Sequence, residues 1–227
     1  MEVEILADAD AAAKRGASII AADARQAASL RGRFNVAFSG GKAPWIMLRA
    51  LADEDVPWDK VQVFQVDERV APSGDPDRNV THLRQSLLEH APLRLDQIHA
   101  MPVELPELEG AVGQYEQTLQ ELCGEPPALD LAHLGLGPDG HTASLVPGDP
   151  VLQVMDRDVA STGVYMGRRR MTLTYPMLNR SRRILWLVTG ADKAAALKKL
   201  RDGDTSIPAG RIARDNAVLL AERPSVG

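Results

Sequence analysis

Ile184-Leu185-Trp186-Leu187-Val188, followed by Thr189-Gly190 and then by Ala191 to Leu200, is the stretch on which the fold turns. Five consecutive apolar residues stopped by a threonine and a glycine read as a strand. The alanine-, leucine- and lysine-rich run directly after it has helix composition. A strand that passes through one tight turn into a helix is the repeating unit of α/β proteins. Working outward, the same alternation recurs. Residues 9 to 30, rich in Ala, Arg and Leu, predict a helix, and Phe34 to Phe38 predicts a strand that stops at Ser39-Gly40-Gly41. Residues 43 to 52 predict a helix with Pro44 in its first turn. Val61 to Val66 alternates as a strand and ends at Asp67-Glu68-Arg69. Helices are predicted over 79–90, opening at Asn79, and over 106–123, opening at Pro106. Leu129 to Leu136 is a strand ending in a glycine-rich turn, and Val159 to Val164, Met171 to Tyr175 and Ala217 to Ala221 are further strands. The alternation predicts an α/β protein with a largely parallel sheet. The loop over 70–78 reads equally as a lid or as a plain surface loop.

The 227 residues suit one domain, 1–227, since cores usually split only beyond roughly 250 residues. A hydrophobic content of 44% with 25% charged residues is that of a soluble globular chain, not of a disordered, collagen-like or disulfide-stapled one. With 26 basic and 31 acidic residues the net charge is −5, which opposes sequence-independent nucleic-acid binding. Three Phe, three Trp and three Tyr are too few for a stacking platform for single strands. Cys123 stands alone, so no internal disulfide, CxxC pair or cysteine-rich zinc site is expected, and it reads as a partly buried thiol near a helix end. The opening MEVEILADAD is acidic and lacks a long apolar run, and no stretch approaches the roughly 20 apolar residues that span a bilayer. A cytoplasmic protein without nucleic-acid or membrane partners is expected, and a monomer.

In an open α/β sheet, ligands sit beyond the carboxyl ends of the strands. The predicted strands run out into Ser39-Gly40-Gly41-Lys42, Asp67-Glu68-Arg69, Gly135-Leu136-Gly137-Pro138-Asp139-Gly140-His141-Thr142 and Gly190-Ala191-Asp192-Lys193. Two glycines before a helix let backbone N–H groups approach an anion, and Lys42 beside them suits a phosphate. This is no Walker A loop, because Ala43 stands where Ser or Thr would meet magnesium. Gly135 to Gly140 spells G-x-G-x-x-G, but Pro147 and Gly148 interrupt the helix a dinucleotide site needs, and Asp139 would face a pyrophosphate. Asp139 and His141 in one tight turn instead suggest an acid–base pair, imidazole being suited to proton transfer near neutral pH. His82, His90, His99 and His133 have no metal-ligand spacing, so no metal is assigned. Of Arg168-Arg169-Arg170, one is expected to face an anion. Lys193 at a helix start conflicts with the dipole, a conflict that a bound phosphate would resolve.

Together, Ser39-Gly40-Gly41, Asp67-Glu68-Arg69, the run GLGPDGHTASLVP from Gly135 to Pro147, Arg170 to Thr174, Gly190 to Lys193 and Pro208-Ala209-Gly210 resemble the 6-phosphogluconolactonase family. That family lies within the larger group that includes glucosamine-6-phosphate deaminase/isomerase. The resemblance runs in order along nearly the whole chain. It implies a Rossmann-like, mostly parallel sheet flanked by helices on both faces, and hydrolysis of 6-phospho-D-glucono-1,5-lactone without metal or organic cofactor. It also implies that Ser39, Gly40, Gly41, Arg170 and Lys193 hold the phosphate, that His141 is the base, and that Asp67, Arg69 and Asp139 line the reacting end. The deaminase pattern places a glutamate five residues after its histidine; Val146 occupies that position here and relays no proton. Lys42 replaces a common Ser or Thr, and Arg78-Asn79 a common Ser-Asn.

Overall fold

The computed structural model describes residues 1–226. In chain order the elements are β1 (Glu2–Leu6), α1 (Ala9–Arg31), β2 (Phe34–Phe38), α2 (Lys42–Leu51), β3 (Val61–Gln65), β4 (Asp67–Arg69) and α3 (Asn79–Leu83), which continues as one wider helical turn over Arg84–Leu88. Then come β5 (Ile98–His99), α4 (Leu108–Cys123), β6 (Leu131–Leu134), β7 (Val159–Ser161), β8 (Arg170–Leu173), α5 (Tyr175–Asn179), β9 (Ile184–Val188), α6 (Ala194–Asp202), β10 (Ala217–Glu222) and α7 (Arg223–Val226).

Local chemistry explains the main helix. Asp8 caps α1 by accepting the Ala11 N–H at 2.8 Å, and Gly32 ends it in the left-handed region. Its buried positions Ala13, Ala17, Ile20, Ala24 and Ala27 recur at three- and four-residue spacing, so a stripe of small side chains faces the core. Cys123 is the last residue of α4, and burial pushes its thiol up to about 12, which makes it a packing residue rather than a nucleophile.

The seven-stranded sheet has the order β1-β10-β9-β6-β2-β3-β5, with every described pairing parallel. Side-chain alternation divides it into two cores. Phe34, Val36 and Phe38 of β2 and Leu185 and Leu187 of β9 pack with α1 and α2 on one face. Ala37, Ile184, Trp186 and Val188 join α4, α5 and α6 on the other. Helices therefore flank a parallel sheet on both faces, as the family resemblance implies. Val66 leads from β3 into a second, antiparallel sheet of order β4-β8-β7: its N–H donates to Phe38 O at 3.1 Å and its carbonyl accepts the Leu173 N–H at 2.8 Å. No described helix is long and apolar enough to cross a membrane.

Several boundaries differ from the sequence reading. β1 and β5 are additional edge strands: Val3 and Ile5 of β1 stay exposed, and β5 is only two residues long. Asp67 to Arg69 is itself a short strand rather than only a strand end. The helix predicted from Pro106 begins at Leu108, and residues 191–193 form a 3₁₀ turn ahead of α6.

Burial sets the cost of substitutions in this fold. Leu219 of β10 is 0% exposed, so Leu219→Ala is expected to cost roughly 2–5 kcal/mol in denaturant unfolding. Leu95, 81% exposed, is expected to cost less than about 0.5 kcal/mol as alanine. His133 on β6 is fully buried, and burial lowers its imidazole from 6.5 to about 3. The unfolded chain binds this proton below 6.5 whereas the folded chain excludes it down to about 3. The associated stability is complete above 6.5 and is lost as pH falls through that window, at up to about 1.4 kcal/mol per pH unit. Acid titration of unfolding free energy should show that slope in the parent chain and a shallower one in His133→Asn.

Candidate active site

From β2 the sheet grows through β3 to β5 on one side and through β6, β9, β10 and β1 on the other. The segment after β2 enters α2 on one face, while the segment after β6 packs Leu136 and Leu145 into the core of the opposite face. Diverging connections leave a crevice beyond the carboxyl ends of the strands. A cleft of about 370 Å³ lies there, a size suited to a small-molecule ligand. Ser39, Gly40, Gly41, Lys42, Asp67, Arg69, His141, Arg170 and Lys193 all line it. Asp139 does not reach the wall but stands behind His141.

The Ser39–Lys42 turn is tied to β6: the Ser39 hydroxyl donates to His133 O at 3.0 Å, and the Ser39 N–H to His133 Nδ1 at 3.4 Å. Gly41 caps α2 without a side-chain bond, so the helix opens its N–H groups toward the cleft. Gly40 is required by close approach, because a Cβ there would fall 1.9 Å from Asn79 Oδ1. Gly137 is required for the same reason: a Cβ would meet His141 Nδ1 at 2.1 Å. The imidazole lies directly over this turn, which the Gly137 N–H closes by donating to His141 O at 2.8 Å.

His141 Nδ1 is 2.6 Å from Asp139 Oδ1. Asp139 Oδ1 also accepts the His141 N–H at 3.2 Å, and Oδ2 accepts the Tyr165 hydroxyl at 3.2 Å. Burial alone would raise the Asp139 carboxyl, but the His141 amide and imidazole and the Tyr165 hydroxyl together hold it below the usual carboxylate range. An ionised Asp139 fixes the proton on Nδ1 and leaves Nε2 as an acceptor.

Arg69 on β4 is the cross-strand partner of Arg170 on β8. Like charges directly opposite repel. Both Nε atoms are buried without a hydrogen-bond partner among the described residues. Burial, reinforced by Arg69 and opposed by Asp67, pulls the Arg170 guanidinium below its ordinary range. This wall is suited to an anion. Asp67 sits beside it, its Oδ2 accepting the Ser144 hydroxyl at 2.6 Å and its Oδ1 the Asn79 amide at 3.2 Å. Lys193 already has a neighbour, Asp192, at 2.9 Å, which eases the dipole conflict locally. Arg168 pairs with Asp75 and Asp77, and Arg169 donates to Ser161, so of the three arginines only Arg170 lines the cleft.

Sequence reasoning missed the hub under this wall. Glu68 is fully buried and accepts from the Arg69, Asn79 and Val80 N–H groups at 2.7–2.9 Å and from the Gln65 amide. Arg78, also buried, lies 3.1 Å from it and donates to Ala71 O and Glu104. The 70–78 loop is therefore strapped at its C-terminal end by Arg78 and along its length by Arg168. Ser144, Asn79 and Tyr165 likewise escaped notice as parts of the site; the first two stand in segments already singled out, while no sequence signal marks Tyr165. Arg78→Ala leaves a buried carboxylate without its cation and is expected to lower unfolding free energy by roughly 3–5 kcal/mol.

Sequence and structure comparisons agree with this architecture. The family described as glucosamine-6-phosphate isomerases/6-phosphogluconolactonase matches residues 7–220. A 6-phosphogluconolactonase of Nostoc sp. is 38% identical over 202 residues, 87% of this chain and 84% of the relative. One from Mycobacterium tuberculosis is 34% identical over 239 residues, covering 97% and 95%. The solved 6-phosphogluconolactonase from Thermotoga maritima superposes with a TM-score of 0.86 at 26% identity, over 97% of this chain and 98% of that one. A monomeric glucosamine-6-phosphate deaminase shares the fold, at a TM-score of 0.84 and 19% identity over 99% and 98% of the chains. Matched along nearly all its length, in sequence and in superposed fold, this chain belongs to the glucosamine-6-phosphate isomerase/6-phosphogluconolactonase family.

Proposed function

We propose that this chain, acting as one domain over 1–227, hydrolyses 6-phospho-D-glucono-1,5-lactone to 6-phospho-D-gluconate. The observation that carries the reading is the Asp139–His141 pair, 2.6 Å apart, opening on a cleft lined by the Arg69–Arg170 wall and the Ser39–Lys42 turn. The phosphate is held by Gly40, Gly41, Lys42, Arg170 and Lys193, while Ser39, whose hydroxyl and N–H both donate to His133, fixes the turn that presents them. Anchoring it orients the lactone carbonyl toward His141.

His141 Nε2 takes a proton from water as the water oxygen bonds to C1. Asp139 stabilises the imidazolium that results. Negative charge gathers on the former carbonyl oxygen, which Arg69 or the N–H groups of the 135–142 loop receive. The tetrahedral intermediate then collapses, the C1–ring oxygen bond breaks, and the imidazolium returns its proton to the leaving ring oxygen. Asp67, held by Ser144 and Asn79, lines the same end. A lactone carbonyl is electrophilic enough for this route to need no metal, and among the described residues no three His, Cys, Asp or Glu side chains are grouped to hold one. The acting form in this proposal is a monomer. The isomerase branch of the family is disfavoured because Val146, 7% exposed and away from the cleft lining, carries no proton.

Lactone generated in place from glucose 6-phosphate should disappear faster with the protein than spontaneously. His141→Ala should lower kcat/KM by about a hundred-fold or more with its unfolding midpoint retained. Undiminished turnover in that variant refutes the base assignment, and absence of turnover in the folded parent chain refutes the lactonase reading.

A further inference from the structure

The segment between β7 and β8 ends in a two-residue turn. Tyr165 and Arg168 bond each other's backbone at 3.0 and 3.3 Å, and Met166 and Gly167 between them have φ of 50° and 78°. Positive φ at both central positions matches the twist of a tight hairpin and fixes its register. On one flank Arg168 is held by Asp75 and Asp77. The other flank directs Tyr165 inward. Its hydroxyl donates to Asp139 Oδ2 at 3.2 Å, its ring meets the His141 imidazole edge-on at 5.5 Å, and the Arg170 guanidinium carbon lies 5.0 Å from the ring centre. Tyr165 does not itself line the cleft.

We propose that Tyr165 is a positioning residue for both ends of the substrate: its hydroxyl fixes Asp139 behind His141, and its ring steadies Arg170 in the cationic wall. The inference rests on the lactonase reading for its kinetic consequence, and its geometry stands independently. Asp139 has two oxygens; His141 engages Oδ1 through both its imidazole and its N–H, and Tyr165 supplies the described hydrogen bond that holds Oδ2 and so the tilt of the carboxylate. The ring face supplies a weak attraction to a guanidinium whose Nε finds no hydrogen-bond partner among the described residues. Burial and the neighbouring Asp139 push the Tyr165 hydroxyl above its usual range, so it remains a donor across the working pH range.

The two roles separate chemically. Tyr165→Phe removes the hydroxyl and keeps the ring: kcat is expected to fall roughly ten-fold, with KM changing less than about two-fold. Tyr165→Leu removes both and is expected to raise KM by roughly five-fold in addition. In an Asp139→Asn background the Tyr165→Phe effect on kcat should shrink, because the two groups act as one unit. Unfolding midpoints are recorded for each. An unchanged kcat in Tyr165→Phe, a fall that persists undiminished in Asp139→Asn, or a fall matched by loss of the folded state overturns the proposal. NMR of the His141 Nδ1 proton tests the hydroxyl role without turnover: Tyr165→Phe should shift the resonance and speed its exchange with water. That change in a parent chain inactive on the lactone upholds the positioning role and refutes the lactonase reading; an unaltered resonance overturns the positioning role.

Discussion

The parallel pairing of β2 with β6 is the constraint on which the cleft depends. These neighbours in space are separated in the chain by α2, β3, β4, α3, β5 and α4, and growth of the sheet changes direction between them. Their outgoing segments must turn to opposite faces, so no connection covers the gap. The Ser39–His133 bonds then hold the two strand ends in register at the edge of that gap. A buried neutral imidazole is an acid-sensitive way to make this link, since protonating it would place a charge in a site with no partner.

Charge is distributed unevenly around this crevice. The chain is acidic as a whole, at −5, yet Arg69, Arg170, Lys42 and Lys193 converge on one cleft. Local concentration of one sign within low-dielectric walls focuses the field on an incoming anion. Arg69 and Arg170 oppose one another across a strand pair, a repulsion that a bound anion would relieve. Glu68 compensates from below. Its carboxylate gathers three backbone N–H groups and the Arg78 side chain, fixing β4, the start of α3 and the 70–78 loop as one unit. Asp67, Arg69 and Arg170 thus stand on paired strands and Lys42 at a helix start, which hold side chains more firmly than loops do, while Asp139 and His141 are held in their loop by their own hydrogen bonds.

Much of this architecture is legible in the residues, for identifiable reasons. The runs at 34–38, 61–66, 129–136 and 184–188 carry strand patterns and lead into glycines or charges, so strand positions and strand ends can be read directly. Because chemistry collects at those ends, His141, Asp67, Arg69, Lys42 and Lys193 can be named without knowing their separation in space. The parts that cannot be read depend on cross-chain pairing. β1 lies at an edge with Val3 and Ile5 exposed, so its short alternation does not announce a strand of the core sheet. Glu68 stands between two residues of evident interest and looks like a solvated charge until β4 is seen to turn it into the core. Tyr165 lies in a segment with no motif, 26 residues from its partner Asp139.

Read alone, the residues establish the α/β class, the order along the chain of β2, β3, β6, β7, β8, β9 and β10, and the membership of the Ser39, Asp67, Gly135 and Gly190 turns in one set of strand ends. These are local properties: periodicity, turn chemistry and the residue types that a backbone turn tolerates. Only the tertiary structure decided which strands are neighbours, that Arg69 faces Arg170, that Arg168 straps a loop while Arg170 faces the cleft, and that Tyr165 reaches Asp139. Those outcomes depend on register between distant segments, and a one-residue slip would exchange every inward side chain for its outward neighbour.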